Sequence, residues 1–563
     1  MKLSYDYKKF YSVFFIVILI FSLSGCSDSA VSTQNQTGGY PIDPDVQTTR
    51  QRTVVLGSGP FSSATVYPYE IWKYSENGYG TWSYGGPDDH GKQYDIMPDG
   101  YNGASVKNTA RLLNFFTITD IHIVDKEAPG QAIWAGYKGG NSSAYSPVML
   151  YTTHVLDAAI QTVNVLHKQN PFDFGLSLGD VCNSTQYNEL RWYIDVIDGK
   201  VITPSSGNHA GADTIDYQKP YQAAGLDKTI PWYQTLGNHD HEWCGSYPVT
   251  DYFKQYYTGE NIILLGDISS GNINVRTDYM GTIDGRTTYG EIIGVGPVGD
   301  FPTPPKVLAA DANRRSLLKK EWMSQFFTTT SNPVGHGFSQ TNIDRDFACY
   351  SFEPKANLPL KVIVLDDTQA DENFVFNKNG SIDRERYEWL ISELDKGQAE
   401  GKLMIISAHV PVTLIDSPSS YISSTNLLFK LSSYSNLILW VTGHVHVNTV
   451  RAHPSTDPAH QGAEYGFWEI ETSSLRDFPQ EFHMFDILRN SDNTISIIKT
   501  DVDPSVRDGS PAAISRNYAV AAQQLFKNPL PNLPTGTYNA EFIKQLSPEM
   551  QAKIQNYGTP IKR

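Results

Sequence analysis

Five short clusters in this 563-residue chain set carboxylates and a carboxamide beside imidazoles: Asp120-Ile-His122, Gly179-Asp180, Gly237-Asn238-His239-Asp240, Ala408-His409 and Gly443-His444-Val-His446. Mixed Asp, Asn and His donors suit zinc, iron or manganese better than calcium, which prefers all-oxygen shells. Asp120 and His122 are two residues apart, and in an extended segment such side chains point the same way and reach one ion. His444 and His446 repeat the spacing; at a strand-to-loop turn they either share that ion or diverge to separate ones. The glycines before Asp180, Asn238 and His444 allow a sharp turn or a close backbone approach.

These clusters need a scaffold that brings distant segments together. Each follows an apolar run that stops abruptly: Leu112–Ile118 before Asp120, Phe172–Leu178 before Asp180, Ile230–Leu236 before Asn238, Leu403–Ser407 before His409 and Leu437–Thr442 before His444. Lys361–Asp366 has the same form. Such runs predict buried strands with polar groups at their carboxyl ends, where ligands gather in open α/β sheets. Helical spacing marks 152–169 and 383–398, a helical island is expected at 313–327, and a last short helix is expected around 540–556. The plan is a layered α/β domain.

In order, the five clusters resemble the D-x-H, GD, GNH[DE], lone His and GH-x-H pattern of the calcineurin-like metallophosphoesterases, over residues 112–475. That resemblance implies a four-layer αββα sandwich of two mixed sheets, with 466–474 and 482–488 completing the second sheet. It implies two divalent or transition metal ions (manganese, iron or zinc), the first on Asp120, His122, Asp180 and His446, the second on Asp180, Asn238, His409 and His444. His239 would contact the phosphate and help protonate the leaving oxygen, with Asp240 fixing its orientation. The reaction implied is hydrolysis of a phosphomonoester or phosphodiester by a metal-bridging hydroxide. A nucleotide or pyrophosphate hydrolase and a non-catalytic, metal-retaining envelope binding protein are the alternatives.

The long gaps between clusters predict loops over the cleft, and 183–229 and 240–359 are expected to form a substrate-recognition cap. Residues 53–110 read as an accessory β region, 53–500 as the catalytic domain and 501–563 as a wrapping extension. Asp88-Asp89-His90 reads as a solvated loop. His241, Glu242 and Trp243 follow the third cluster and either line the pocket or pack.

Lys2, Lys8 and Lys9 precede an apolar run that ends in Leu23-Ser-Gly-Cys26, the pattern of an export signal over 1–25 with a lipidated Cys26. An uncleaved anchor helix is the alternative, and 26–52 reads as a flexible tether. Either way the body is expected outside the cytoplasm, with the membrane as a partner. The formal charge of −16 argues against a nucleic-acid partner and leaves small phosphate esters as substrates. With Cys26 committed to lipid, Cys182, Cys244 and Cys349 permit at most one disulfide; a Cys182–Cys244 bridge and free thiols stand as alternatives.

Overall fold

Leu113, Phe115 and Phe116 on the Asn108–Ile118 strand are fully buried, and the two faces of that strand meet different partners. Phe115 stacks on Phe174 and Phe485, and Phe174 meets Phe352 of a second sheet edge to face. Phe116 points the other way, onto Trp232, whose indole N–H donates to the Tyr193 hydroxyl on the Tyr187–Asp198 helix. A strand buried on both faces needs a layer on each side. The computed structural model, which describes residues 38–266, 268, 273–369, 379–526 and 538–561, supplies them.

One sheet runs, in spatial order, Gly91–Gln93, Ala540–Lys544, Ile495–Val502, Phe482–Asn490, Asn108–Ile118, Phe174–Ser177 and Trp232–Gln234, with Thr559–Pro560 added beside Asn108–Ile118. Its last three strands are parallel, and Phe482–Asn490 is antiparallel to its neighbours. The other sheet runs Tyr350–Phe352, Leu360–Val364, Leu403–Ser407, Leu437–Thr442, Phe467–Glu471 and Thr449–His453, parallel inside and antiparallel at both edges. Val362, Ile405 and Leu439 join the core between the sheets. Their neighbours Ile363, Met404 and Trp440 face outward onto Leu390, Leu394, Leu427 and Leu431 of the helices Arg384–Ala399 and Ser424–Leu431. Helix Thr152–Gln169 packs Leu156, Ile160 and Val163 against the first sheet. The protein is a four-layer αββα sandwich of two mixed sheets.

All six expected strands form, and the 152–169 helix matches its expected ends. Other expectations change. Phe467–Glu471 and Phe482–Asn490 enter different sheets rather than pairing, because the Thr472–Glu481 loop carries the chain from one to the other. In the tail, Ala540–Lys544 is an inner strand, and the helix starts only at Pro548 behind its Ser547 cap. Within 313–327, a 3-10 turn at Ala312–Arg314 precedes a shorter helix, Lys319–Gln325.

Inside 240–359, the Leu264–Leu265, Asp278–Ile283 and Ile292–Pro297 strands form a small separate sheet, whereas Tyr350–Phe352 belongs to the sandwich. Residues 53–110 hold one strand pair, Val54–Leu56 with Trp82–Tyr84, among 3-10 turns, and lend Gly91–Gln93 to the main sheet. Asp88 is not a free loop residue: its carboxylate accepts from the Asn539 N–H at 2.8 Å.

The signal at 1–25, Cys26 and the tether up to residue 37 lie outside the described residues. From Gly38 the expected tether is docked: Gln161 bridges Tyr40 and Ile42, and Thr49 is fully buried against Asp501. Among the described residues no helix is long and apolar enough to cross a membrane.

Candidate metal centre

The parallel strands stop two residues before the first carboxylate, and the backbone then turns left-handed. Asp120, His122, Asp180, His444 and His446 have φ of 50°, 47°, 53°, 81° and 65°. The extended-segment reason expected for the Asp120–His122 pair is therefore replaced by a turn that aims both inward. Left-handed non-glycine residues cost about 1–3 kcal/mol each and persist where surroundings over-determine them. The glycines explain how the loops fit: a Cβ on Gly237 would lie 2.1 Å from Asp180 Oδ1, and one on Gly443 2.3 Å from Asp120 Oδ2.

Most of the converging side chains have one atom tied by the protein and present another. Asp120 Oδ2 accepts from the Thr119 hydroxyl (2.7 Å) and the His444 N–H (3.0 Å), while buried Oδ1 lies 3.2 Å from His446 Nε2. Asp180 Oδ1 accepts from the His239 N–H (2.8 Å), and Oδ2 lies 3.2 Å from His409 Nε2 and 3.8 Å from His122 Nε2. Asn238 donates its amide to the Gly245 carbonyl (2.7 Å) and turns Oδ1 to His444 Nδ1 (3.2 Å). His409 Nδ1 donates to the Leu178 carbonyl (2.8 Å) and His446 Nδ1 to Asp477 (2.6 Å).

The presented atoms gather in groups whose members lie within 4.8 Å of one another: Asp120, His122 and His446; Asp180, His409 and His444; and His122, Asp180 and His239. Ring nitrogens face each other at 3.2 Å (His122 to His446) and 3.3 Å (His409 to His444). Ligands held at about 2.0–2.2 Å from a common cation lie about 3 Å apart, so these separations and this donor set fit a divalent-cation site, with Asp180 in two of the three groups. All seven expected metal ligands are thus brought together, with His444 and His446 diverging to different groups. Asp120, His122, Asp180 and His409 are buried, while Asn238, His444 and His446 are partly exposed and mark the open side.

Burial works to raise the Asp120 and Asp180 carboxyls, yet His446 beside the one and His409 beside the other hold both below the usual carboxylate range. Burial likewise works to lower His446 and His409, and the paired carboxylates carry each up to about 10. His122, with burial and then the His239 charge against it, is held well below its ordinary value. A cation held here would compete with the protons on His409 and His446.

His239 is buried at the edge of the site, its ring edge to face with His122 at 4.4 Å. Its Nδ1 donates to the Asn183 carbonyl at 2.6 Å. Asp240, expected to orient that ring, instead accepts the backbone N–H groups of Asp180, Val181, Cys182 and Gly237, each at 2.9–3.0 Å. A carboxylate surrounded by four amides has no lone pair to spare for the imidazole.

Asp477 and the carbonyls of Asn183 and Leu178 escaped the sequence reading; Asp477 is 31 residues beyond His446, and carbonyls have no residue signature. Cys182, Cys244 and Cys349 are free thiols. Trp243 is packed in the insertion core, and His241 lies 3.0 Å from the Thr368 hydroxyl.

The sequence matches no protein-family model, and no curated protein matches it. Among solved structures it is similar to a dimetal phosphatase from Danio rerio at 11% identity, covering 70% of this chain and 100% of that one, with a TM-score of 0.35. It is also similar to GAP50, the anchor in the inner membrane complex of Plasmodium, at 11% identity, covering 74% and 96%, with a TM-score of 0.26. With so little superposed backbone, neither likeness bears on what this chain does.

Proposed function

We propose that this chain is a dinuclear-metal-dependent phosphoesterase, exported and held at the cell envelope by lipid on Cys26. The observation that carries the reading is the convergence of three donor groups, two of them sharing Asp180, with most of the converging side chains tied at one atom and presenting another. Two cations in such groups acidify a bound water and neutralise phosphoryl oxygens. The chain's own residues do the rest. His239, with Nδ1–H committed to Asn183, keeps Nε2 as the atom that takes up and returns a proton near the leaving oxygen. Gly245 leaves room for that edge, since a Cβ there would lie 2.4 Å from Nε2.

Residues 183–229 and the insertion form the cap of this reading. Tyr187 and Leu317 tie the two segments at 2.9 Å through Arg315 and Thr185, so the segment after Asp180 is braced by the insertion. The substrate class is a small or lipid-like phosphate ester, with a phosphomonoester or phosphodiester left to assay.

The test is turnover of aryl phosphomonoesters and phosphodiesters by the purified protein with manganese, iron, zinc or chelator, beside Asp180→Asn and His239→Ala. Chelator-sensitive turnover lost in both variants is the expected result. Metal bound near two per chain without turnover on any ester would favour the binding-protein alternative, and no bound metal would end the reading.

A further inference from the structure

Five of the six apolar runs that stop in polar residues supply the metal centre; the sixth, Lys361–Asp366, does not. Its end is nevertheless fastened beside the centre, because Asp367 accepts the backbone N–H groups of His409 and Val410 at 3.1–3.2 Å. Asp366 organises the surroundings. Its Oδ2 accepts from Lys319 Nζ (2.9 Å) and Arg386 Nε (3.2 Å), and its Oδ1 from the Thr368 hydroxyl (3.0 Å). The Thr368 oxygen in turn lies 3.0 Å from His241 Nε2. Burial works to raise the Asp366 carboxyl, but Lys319 and Arg386 hold it far below the usual carboxylate range.

Glu242, next to His241, is 3% exposed, and its carboxyl group makes no hydrogen bond or ion pair among the described residues. The Glu242–Trp243 strand pairs with Tyr247–Pro248, and successive side chains on a strand point to opposite faces. Trp243 enters the insertion core and donates its indole N–H to the Gly130 carbonyl (2.7 Å), so Glu242 faces away from that core. The turn closing this hairpin lies on the centre, where the Gly245 carbonyl accepts the Asn238 amide at 2.7 Å. Burial pushes the Glu242 carboxyl up to about 8, with Lys319 pulling the other way and Asp180 adding to the rise. Glu242 thus feels both charges and pairs with neither. Lys319 has a donor to spare: an ammonium carries three N–H bonds, and among the described residues only Asp366 and Gln369 (3.2 Å) accept from it. An unpartnered buried carboxyl at the edge of a site marks a ligand contact.

We infer that Glu242 and Lys319 form a subsite for the alcohol part of the substrate and select a leaving group that carries a free hydroxyl, a polyol rather than an alkyl or aryl group. A hydroxyl donates to a carboxylate and accepts from an ammonium at once, so it satisfies both open groups where an alkyl chain leaves both unpaired. An amine would satisfy Glu242 alone and would sit against the Lys319 charge. The inference rests on the phosphoesterase reading above and adds a substrate class to it.

The test compares glycerol 3-phosphate with propyl phosphate, which lacks the free hydroxyls, together with the methyl diester of each, on the manganese-loaded full chain. The readout is the ratio of kcat/KM between the two alcohols, which does not depend on how much of a preparation is folded or loaded. The wild type is expected to favour glycerol about 10–100-fold, the worth of one hydrogen bond to a charged group. Glu242→Leu is expected to remove that preference. Lys319→Met is expected to reduce it, and reads the same subsite from its other side if Glu242→Leu fails to fold. A wild type without preference for glycerol, or a preference that survives in both variants, would overturn the inference and leave the phosphoesterase reading standing. Faster turnover of aminoethyl phosphate than of glycerol 3-phosphate would mark Glu242 as an amine contact and overturn it too. No turnover of any ester by the wild type, aryl phosphates included, would overturn both readings.

Discussion

Two buried charge clusters in this protein use the same residue types to opposite ends. Around Lys499, Asp501, His483, Glu481 and Asn448 the donors and acceptors answer one another. Lys499 meets Asp501, Asn448 (2.9 Å) and the Tyr538 carbonyl (3.1 Å). His483 meets Asp501 (2.8 Å) and the Ser473 carbonyl (3.0 Å), and Asp501 also accepts the Tyr538 N–H (2.7 Å). Both central strands are regular there. Around Asp180 the backbone is left-handed and the presented atoms face one another without an intervening partner. A buried His–Asp pair therefore says little by itself; what marks a ligand site is convergence of presented atoms on a backbone held in a costly shape.

Substitutions should separate the two clusters. Asp180→Asn removes a carboxylate from two of the three donor groups, and activity is expected to fall at least about 100-fold with loss of bound metal, since even outer partners of ligands are worth about 10–100-fold; elemental analysis and turnover read it together. Lys499→Met leaves Asp501 buried without its main cation and is expected to cost about 3–5 kcal/mol of stability. Metal content per folded molecule should stay unchanged in denaturant titration and elemental analysis, and a loss would dissolve the contrast. Gly237→Ala sets a methyl group against Asp180 Oδ1, so metal affinity is expected to fall more than about tenfold, with a smaller change in melting temperature.

The pH response should differ as well. In the cation-free protein burial works to lower His409 and His446, but their carboxylate partners carry them to about 10. A raised folded value gives stability that is full below the ordinary 6.5 and is lost as pH rises through about 10. Asp501 runs the other way: burial works to raise it, Lys499 and His483 hold it at about 2, and its contribution is present above 3.8 and lost as pH falls through about 2. Melting temperature of the stripped protein is expected to fall between pH 7 and 10, and manganese to flatten that slope. A flat profile without metal would show that the imidazoles are not held as cations.

Strands with long apolar runs and abrupt polar ends were legible in the sequence because both signals are local, and the ligands lay at those ends. Ala540–Lys544 was not, since Asn-Ala-Glu-Phe-Ile-Lys suits helix and strand alike and only pairing with Ile495–Val502 decides. The docking of residues 38–52 was hidden for a similar reason: Thr49 is polar, and its burial depends on Asp501 some 450 positions away. Orientation of His239 was misassigned because an adjacent carboxylate looks like a partner, whereas an acceptor already filled by four amides is visible only in three dimensions.

That filled carboxylate sets a mechanical property of the centre. Asp240 grips the loop carrying Asp180 and the residue before Asn238 at once, so these two side chains belong to a single rigid strut. The spacing between Asp180 and Asn238 is then gauged by a side chain that presents no atom to the centre, and Asp240→Asn should loosen that spacing while both residues stay in place.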